Sequence, residues 1–509
     1  MATTGRKLAV GSTLKSLNLV SIALVSLLIT PFVIHSLGDR MYGIWALLAT
    51  FVGYYGLLEL GLSTAVGRYV AMALGAGDQE RCNYIFNTSL VLFSALGGVV
   101  MVFTLIAAAI APHLVKSPQD GAIFWKAILL LGASMALGFP VRVFKGVLNA
   151  HLRFDLTGEM ELMIMAFRTA LIIVVLLMGY KVVALAAVAF VAPLTGVFVY
   201  PYFLFQDLPF LRFSRRYWHR GTAREMLSYS AYSFIAHLGG ILRGGIGPFI
   251  VAPFLGFAGV AHYKIAAMLA TYYDELTGSL VGVFGPVFSR LEGAGDQEAI
   301  KRTLFFSTKI TVCVIGFLAF GLIAMGKEFI SRWVGSSYVD AYPCLVLLVL
   351  GFTCALCQRP SVYVLYAMFR HKFLAFLICV EGATNLTLGL IFVRHHGLTG
   401  VALGMCIPLV ASKLIVQPVY VCSVSGIPYK EFVGTFLRSG SIVAVSLIVP
   451  VVIAVRFALP NYKVLFALGI SSFILYAIPV ALGVFNRTET RHLVQIFWPN
   501  FALGESTPE

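Results

Sequence analysis

The chain has 509 residues, of which 59% are hydrophobic and only 12% are charged, and its mean hydropathy is +0.91. Water-soluble domains contain about 25% charged residues. The composition therefore excludes a soluble domain and predicts an all-α polytopic membrane protein. Its net charge of +15 reflects membrane topology, described below, and gives no reason to expect a nucleic-acid partner.

The apolar runs predict about fourteen transmembrane helices, each with about 20 or more residues and long enough to cross the hydrocarbon core. Their expected limits are 12–37, 42–73, 82–112, 122–150, 156–179, 182–205, 223–252, 257–290, 301–324, 341–369, 372–394, 399–424, 432–457 and 462–484. The first run leads into further spans without a small-residue cleavage site, so we do not interpret it as a signal peptide. A short amphipathic tail over 487–498 is expected to lie on the membrane surface.

The distribution of Lys and Arg predicts the orientation. With a cytoplasmic N-terminus, the inside segments hold 22 of these residues and the outside segments hold 9. Cytoplasmic loops are the ones enriched in Lys and Arg. We therefore expect a multi-pass membrane protein with both termini in the cytoplasm.

An internal repeat organises the chain. The hexapeptide GAGDQE at 75–80 returns unchanged at 293–298, 218 positions later, and PFVIHSLG at 31–38 is echoed by PFIVAPFLG at 248–256. The Leu-Gly pairs of that second match are separated by the same interval as the hexapeptides. These matches in one register predict a duplication of about 218 residues. In each hexapeptide, the glycine (Gly77 or Gly295) favours a left-handed helix end, and the following aspartate favours a cap on the next helix.

The repeat predicts the domain organisation. Equivalent spans are six apart, an even number, so both copies cross the membrane in the same direction as in parallel-repeat transporters. We expect two six-helix lobes at 1–210 and 226–426, joined by a basic cytoplasmic linker at 211–225. Two C-terminal helices at 427–486 and a cytoplasmic tail at 487–509 complete the chain.

Five cations lie deep within predicted spans: Arg168, Arg243, Lys264, Arg359 and Lys413. A charge at mid-helix costs at least about 2.5 kcal/mol if it faces lipid, so each is expected to face protein or a watery cavity. Each has two interpretations, neutralisation of a buried carboxylate or contact with substrate. As a set they favour an anionic substrate, because a guanidinium fork suits phosphate oxygens.

Four acids also lie deep: Glu59, Asp274, Glu275 and Glu381. A membrane carboxylate can couple proton entry to movement, bind a cation, or form a structural ion pair. The adjacent pair Asp274-Glu275 is the strongest coupling candidate, since like charges oppose each other's ionisation. Asn385 follows Glu381 by four residues and is expected to share its helix face.

Span 7 is rich in glycine. Gly239, Gly240, Gly244, Gly245 and Pro248 surround Arg243. This composition favours a weak or bent helix that acts as a gate or hinge, while close packing of small residues is the alternative. The sequence contains no metal-ligand cluster, nucleotide loop or nucleophile triad, so we expect no cofactor and no metal, and a transporter rather than an enzyme.

The stretch 37–73 resembles the bacterial polysaccharide transporter family, the O-antigen and exopolysaccharide flippases of the multidrug/oligosaccharidyl-lipid/polysaccharide (MOP) exporter superfamily. The features that carry this resemblance are Leu37-Gly38, Tyr42-Gly43-Ile44-Trp45, Glu59-Leu60-Gly61 and Arg68-Tyr69. The resemblance implies two lobes that alternate between inward-open and outward-open states. It also implies that an undecaprenyl-pyrophosphate-linked oligosaccharide moves from the cytoplasmic to the periplasmic leaflet for cell-surface polysaccharide biosynthesis.

On this hypothesis the deep cations hold the pyrophosphate while the lipid tail stays in the bilayer. Expected partners are the lipid-linked oligosaccharide, membrane lipids and, in the wider pathway, a polysaccharide polymerase and glycosyltransferases. Two competing functions remain open. A cation-coupled multidrug antiporter of the same superfamily would use the deep acids, and a polysaccharide polymerase or ligase would need a sizeable outer loop with catalytic residues.

Overall fold

The computed structural model describes residues 21–59, 61–114, 117–450, 452, 462–485 and 489 of the chain. The predicted tail at 487–509, apart from residue 489, and the expected beginning of the first span at 12–20 lie outside this range. Every regular element among the described residues is helical, as the composition predicts.

Among its described residues, the first half of the chain forms eight α-helices. They are α1 Ser21–Leu37, α2 Asp39–Gly53, α3 Leu62–Gly75, α4 Gln79–Leu114, α5 Pro118–Ala150, α6 Phe154–Leu177, α7 Val182–Asp207 and α8 Arg220–Gly244. A 3₁₀ helix, Tyr54–Glu59, continues from α2, and a second short one covers Arg215–Tyr217. The predicted second span is thus broken into α2, the 3₁₀ helix and α3, with Gly61 in the left-handed conformation at the break.

The part of the second half that the structure describes contains nine α-helices. They are α9 Gly247–Val281, α10 Phe284–Gly293, α11 Gln297–Trp333, α12 Ala341–Cys357, α13 Arg359–Ala367, α14 His371–Ala411, α15 Gln417–Ser425, α16 Tyr429–Ser446 and α17 Tyr462–Gly483. A π-helical turn, Ser412–Val416, joins α14 to α15. A 3₁₀ turn, Ser336–Tyr338, lies between α11 and α12.

The chain divides into two compact units. Unit 1 comprises the chain up to Ile241 together with Val251–Lys264, and unit 2 comprises Leu242–Ile250 and the chain from Ile265 onward. The core of unit 2 includes Phe288, Leu304 and Phe432, each no more than 1% exposed. The expected division at 1–210, 211–225 and 226–426 stays a prediction, although α8 begins at Arg220, so the last residues of the predicted linker are helical.

The number of spans differs from the expectation. Within the described residues, nine helices are long and apolar enough to cross a membrane, or ten if α12 and α13, which meet at 40°, form one bent span. The expected count of fourteen is therefore not confirmed. Part of the difference arises because Leu238–Gly278 and Lys372–Ser425 each cover parts of two predicted spans but count as one candidate span here. Gly256 and Gly397 adopt non-helical dihedral angles at these two junctions.

The two GAGDQE turns have the same backbone geometry. Gly77 has φ +69° and Gly295 has φ +71°, the left-handed conformation that glycine adopts at low cost. The Asp78 N–H donates to Ala73 O at 3.0 Å, and the Asp296 N–H donates to Leu291 O at 3.2 Å. Each aspartate then caps the following helix, because its Oδ1 accepts a backbone N–H three residues later, at 2.8 Å and 2.9 Å. The predicted helix-turn-helix is confirmed in both copies.

Further backbone features follow the register of the hexapeptide repeat. Gly38 and Gly256 are equivalent in that register and both have positive φ, as are Gly179 and Gly397. The two non-glycine residues with positive φ, Leu152 and Phe369, depart from the register by only one position. The backbone features that recur in both copies therefore extend over 38–179 in the first copy and 256–397 in the second. These ranges are much longer than the stretches that match in sequence.

The basic linker is bound to α4 along its length. Asn83 and Asn87, which lie one turn apart on α4, each form two hydrogen bonds with the linker backbone at residues 210–214, with lengths of 2.8–3.1 Å. Thr88 Oγ1 accepts the His219 N–H at 3.2 Å. All three side chains are buried. The linker is thus an ordered part of unit 1. An extended segment has no backbone hydrogen bonds within itself, and here side chains of α4 supply the missing donors and acceptors.

Candidate functional site

Glu381 on α14 is the centre of a polar cluster in unit 2. It is 1% exposed. Its carboxylate accepts the Lys413 ammonium at 2.8 Å and the Ser412 hydroxyl at 2.5 Å, and Arg243 Nη1 lies 3.5 Å away. The structure therefore brings together three predicted site residues, two substrate-binding candidates and one coupling candidate.

The charges of this cluster do not cancel. Two cations surround one carboxylate, which leaves a formal excess of one positive charge. The Lys413 side chain is 5% exposed, whereas the Arg243 side chain is 27% exposed. Because an isolated buried charge is strongly destabilising, Lys413 serves first as the counter-ion of Glu381. Arg243 is the cation of the pair that remains accessible to an anion.

The backbone around Arg243 is held by Asn385. The Asn385 amide donates to Arg243 O at 2.8 Å and to Leu242 O at 3.3 Å, and so satisfies carbonyls in the last turn of α8. Asn385 and Glu381 share a face of α14, as their spacing predicts. Asn385 Oδ1 is buried without a hydrogen-bond partner among the described residues.

The predicted interruption of span 7 is present. Helix α8 ends at Gly244, Gly245 and Ile246 are not in a helix, and α9 begins at Gly247 with Pro248 in its first turn. Proline is favoured there because its missing N–H has no helical partner to lose. Gly239 and Gly240 lie within α8. Whether this segment moves as a gate or hinge stays a prediction.

Lys413 lies on the π-helical turn that joins α14 to α15. Its ammonium donates to Gln417 Oε1 at 3.0 Å, and Gln417 Nε2 donates to Gln358 O at 3.1 Å. Gln358 stands at the 40° bend between α12 and α13, directly before Arg359. The wider turn of a π-helix displaces side chains relative to an α-helix and is frequent at functional sites.

Arg359 pairs with Asp274 of α9 at 2.8 Å. Their side chains are 32% and 31% exposed, so the pair is far more accessible than Glu381 and Lys413. Gly278 faces the guanidinium, and a Cβ built at that position would lie 2.9 Å from Arg359 Nη1. A substrate-binding candidate and a coupling candidate are thus partners here as well.

Unit 1 contains an ion pair between Arg142 of α5 and Glu59 of the 3₁₀ helix. Glu59 is one of the four deep acids predicted above, whereas Arg142 is one of the 22 Lys and Arg residues that the predicted orientation assigns to the cytoplasmic side. The signal that was missed is its position: Arg142 precedes Arg359 by the same interval that separates Leu152 from Phe369. Gln358 and Gln417 were also missed, although amides within apolar runs are a usable signal.

The remaining predicted residues lie apart from these clusters. Lys264 is half-buried at the end of unit 1, and Arg168 is exposed on α6. Glu275 is exposed on α9, beside Asp274 in sequence. None of these three forms an ion pair within the described part of the chain. Glu161, seven residues before Arg168 on α6, pairs with Lys145 of α5.

The helical spans and the ion pairs within them define a multi-pass helical membrane protein. Residues 36–343 match the model of a family described as "Polysaccharide biosynthesis protein". The chain belongs to this polysaccharide biosynthesis family, as the resemblance at 37–73 predicts.

Two relatives align with most of the chain. EpsK of Bacillus subtilis (strain 168), named an uncharacterized membrane protein, is 22% identical over 488 residues, which cover 93% of this chain and 94% of EpsK. A Shigella flexneri protein named "Putative O-antigen transporter" is 22% identical over 421 residues, which cover 80% of this chain and 97% of the relative.

Solved structures show the same fold. The lipid II flippase MurJ in an inward closed conformation has a TM-score of 0.68 at 14% identity, covering 97% of this chain and all of MurJ. A multidrug transporter of the MATE family in an inward-facing conformation has a TM-score of 0.60 at 18% identity, covering 80% of this chain and 99% of the transporter. The chain therefore shares its fold with MurJ and with a MATE transporter.

Proposed function

We propose that this protein is a flippase that moves an undecaprenyl-pyrophosphate-linked oligosaccharide from the cytoplasmic to the periplasmic leaflet of the bacterial inner membrane. The family match and the names of the relatives support transport of a polysaccharide precursor. The likeness to MurJ supports a fold suited to flipping a lipid-linked sugar. No covalent bond is made or broken in this process, so the protein acts as a transporter and needs no cofactor.

The observation that carries the proposal is the uncompensated positive charge around Glu381. Two cations share one buried carboxylate, and the more exposed cation, Arg243, lies in the last turn of α8 beside the interrupted segment. A polyanionic headgroup crossing a low-dielectric region needs such cations to replace its lost hydration. Phosphate oxygens match the guanidinium fork geometrically, which a single ammonium does not.

In this mechanism Arg243 and Arg359 contact the phosphates directly. Lys413 holds Glu381 in place and contributes through the local field, since its own ammonium is already bound by Glu381 and Gln417. The break at Gly245 and Ile246 lets the chain bend as the protein alternates between its two open states. Lys264 and Arg168 contribute further positive charge, and Asp274, Glu275, Glu59 and Glu381 are the candidates for ion coupling.

The test is transport in sealed vesicles that contain the purified full-length protein. A fluorescent undecaprenyl-pyrophosphate-oligosaccharide is offered with and without an imposed proton or sodium gradient. We expect the wild-type protein to move this lipid across the bilayer and Arg243→Ala to lose most of that transport. Arg332→Ala is the matched control, because Arg332 forms an ion pair with Glu328, one turn away within α11.

Two outcomes would overturn the proposal. Movement of a cationic dye in place of the lipid would make the protein a multidrug antiporter, with Asp274 and Glu275 as the acids to pursue. A change in the mass of the recovered oligosaccharide would instead identify a polymerase or ligase, since a flippase returns its substrate chemically unchanged.

A further inference from the structure

The same ion-pair arrangement occurs once in each unit. In unit 1, Arg142 on α5 pairs with Glu59 at the end of the 3₁₀ helix. In unit 2, Arg359 on α13 pairs with Asp274 on α9. In both cases the arginine comes from the predicted fourth span of its lobe, and the acid comes from the predicted second span.

The arginines are equivalent under the duplication. Arg142 and Arg359 each lie eight residues before the last residue of their helix, Ala150 and Ala367. Both helices end in a turn of the same type. In each turn a residue with positive φ, Leu152 or Phe369, lies ten positions after the arginine. In that turn the Arg153 N–H donates to Leu148 O at 3.0 Å, and the Arg370 N–H donates to Leu365 O at 2.8 Å. The backbone therefore places both arginines at the same distance from the C-terminal end of their helices.

The two acids, Glu59 and Asp274, lie on the same face of their predicted spans but do not occupy the same position in the repeat. The register of the hexapeptide repeat aligns Tyr54-Tyr55 with Tyr272-Tyr273, and it aligns Asp274 with Gly56. Glu59 lies three residues after Gly56, about one helical turn further along. Each copy thus has a carboxylate near its arginine. The residue that supplies this carboxylate lies about one helical turn further along the chain in the first copy than in the second. What the two copies share is the arginine position and an acidic neighbour.

Both arginine–carboxylate pairs are partly exposed, so a second anion can reach them. The side chains of Arg142 and Glu59 are 30% and 18% exposed, and those of Arg359 and Asp274 are 32% and 31% exposed. The acid is bonded to one terminal nitrogen of each guanidinium. A guanidinium carries five N–H donors, so most remain for a second anion. The Glu381–Lys413 pair, with both side chains at most 5% exposed, offers no such room.

We propose that Arg142 and Arg359 are matched anion-contacting residues, one in each unit, and that Glu59 and Asp274 are their resting counter-ions, which phosphate oxygens displace. This inference rests on the proposed function and adds Arg142 to the residues that touch the substrate. Exchange of a carboxylate for a phosphate keeps each guanidinium paired throughout. It therefore avoids the large cost of an isolated charge within a span. The displaced acids lie on segments where the backbone is already interrupted, after Glu59 at Gly61 and after Asp274 at residues 282–283.

The test measures binding of undecaprenyl pyrophosphate to the purified full chain in lipid nanodiscs. Undecaprenol, which lacks the phosphates, and phosphatidylglycerol are the comparison ligands, and they separate pyrophosphate recognition from tail binding and from general anion binding. We expect Arg142→Gln and Arg359→Gln each to weaken pyrophosphate-lipid binding by about ten- to hundredfold, the value of one charge-assisted hydrogen bond. Glu59→Gln and Asp274→Asn should bind as tightly as the wild-type protein or more tightly, because the competing carboxylate is gone.

Charge-swapped double variants separate substrate contact from a structural ion pair. Glu59→Arg combined with Arg142→Glu, and Asp274→Arg combined with Arg359→Glu, restore an ion pair in the reverse direction. We expect them to regain the thermal unfolding midpoint lost in the single arginine variants but not the binding. Recovery of binding as well as stability would show that the pairs are only structural and would overturn the inference.

A matched control and the wild-type protein complete the design. Arg153 forms a similarly buried ion pair with Asp207 at 2.5 Å, so Arg153→Gln should lower stability and leave binding unchanged. If the wild-type protein fails to bind the pyrophosphate lipid, the proposed function fails together with this inference. If the wild-type protein binds and Arg142→Gln binds equally well, only the inference fails.

Discussion

At the scale of single residues, Glu381 imposes the strongest electrostatic constraint in unit 2. Its side chain is almost fully buried. Its carboxylate forms ion pairs with Lys413 and Arg243 and accepts a hydrogen bond from the Ser412 hydroxyl. Removal of one partner of such a cluster leaves a charge in a low-dielectric environment. Replacement of both partners by apolar groups does not.

We therefore expect Glu381→Ala to lower the free energy of unfolding by about 3–5 kcal/mol, since it leaves Lys413 buried and unpaired. The double variant Glu381→Ala with Lys413→Met should recover most of this loss. Thermal unfolding of the purified variants in detergent measures both effects. A double variant as unstable as the single one would show that the lost stability comes from contacts other than the ion pair.

Gly278 makes room for the Arg359 guanidinium. A methyl group there would approach the end of a flexible side chain, which can move aside, and alanine favours the helix by about 1 kcal/mol over glycine. We expect Gly278→Ala to leave the unfolding temperature unchanged or raised while substrate binding falls, because the added methyl group moves the Arg359 guanidinium away from the position at which it would contact phosphate. Gly98→Ala is the control, since a Cβ at Gly98 meets open space. Unchanged binding in Gly278→Ala would contradict a role for the position of Arg359.

At the scale of helices and connecting segments, the basic linker shows how side chains can replace a missing secondary structure. Asn83 and Asn87 offer the linker backbone a donor and an acceptor each, as a neighbouring strand would. The arginines of the linker identify it as a loop in the sequence, but its ordered path depends on two asparagines that lie far earlier in the chain, on α4.

Combined substitution of these residues, Asn83→Leu with Asn87→Leu, should release the linker. We expect limited trypsin digestion to cleave faster after Arg212, Arg215 or Arg216, and stability to fall by about 0.5–1.5 kcal/mol per lost hydrogen bond. Asn149→Leu is the control, because the Asn149 side-chain oxygen accepts the Thr157 hydroxyl and contacts no linker residue. Equal cleavage rates in all three proteins would mean that the linker is held by other contacts.

The breaks within helices illustrate a second point at this scale. Glycine and proline clusters predicted the interruption between α8 and α9, and the left-handed turns at Gly77 and Gly295, because these residues act through local sterics. Pro418 follows the π-helical turn at Ser412–Val416 by two residues, and its missing N–H and its ring favour an irregular helix at this place. A proline within an apolar span is therefore a local signal for this turn as well.

At the scale of the whole molecule, the orientation in the membrane is the main prediction that the Lys and Arg distribution supports. We expect a cysteine introduced at Ser337 to react with a membrane-impermeant thiol reagent in intact cells, and one introduced at Glu80 to react only after lysis. Both positions are exposed, so accessibility depends on the side of the membrane. Labelling with the opposite pattern would reverse the predicted orientation and place both termini outside the cytoplasm.

The sequence by itself determined that the protein is a polytopic helical membrane protein, that it is internally duplicated, and where its helix-ending turns lie. These properties follow from hydropathy, repeat register and local backbone sterics, all of which are read along the chain. It also identified the deep charges apart from Arg142, because a charge in an apolar run stands out. Only the tertiary structure decided how these charges pair. Glu381 forms ion pairs with Lys413 and Arg243. Arg359 pairs with Asp274, and Arg142 pairs with Glu59. Partner choice depends on which helices pack together and at what depth, and residues 32 to 138 positions apart carry no local signal of that contact.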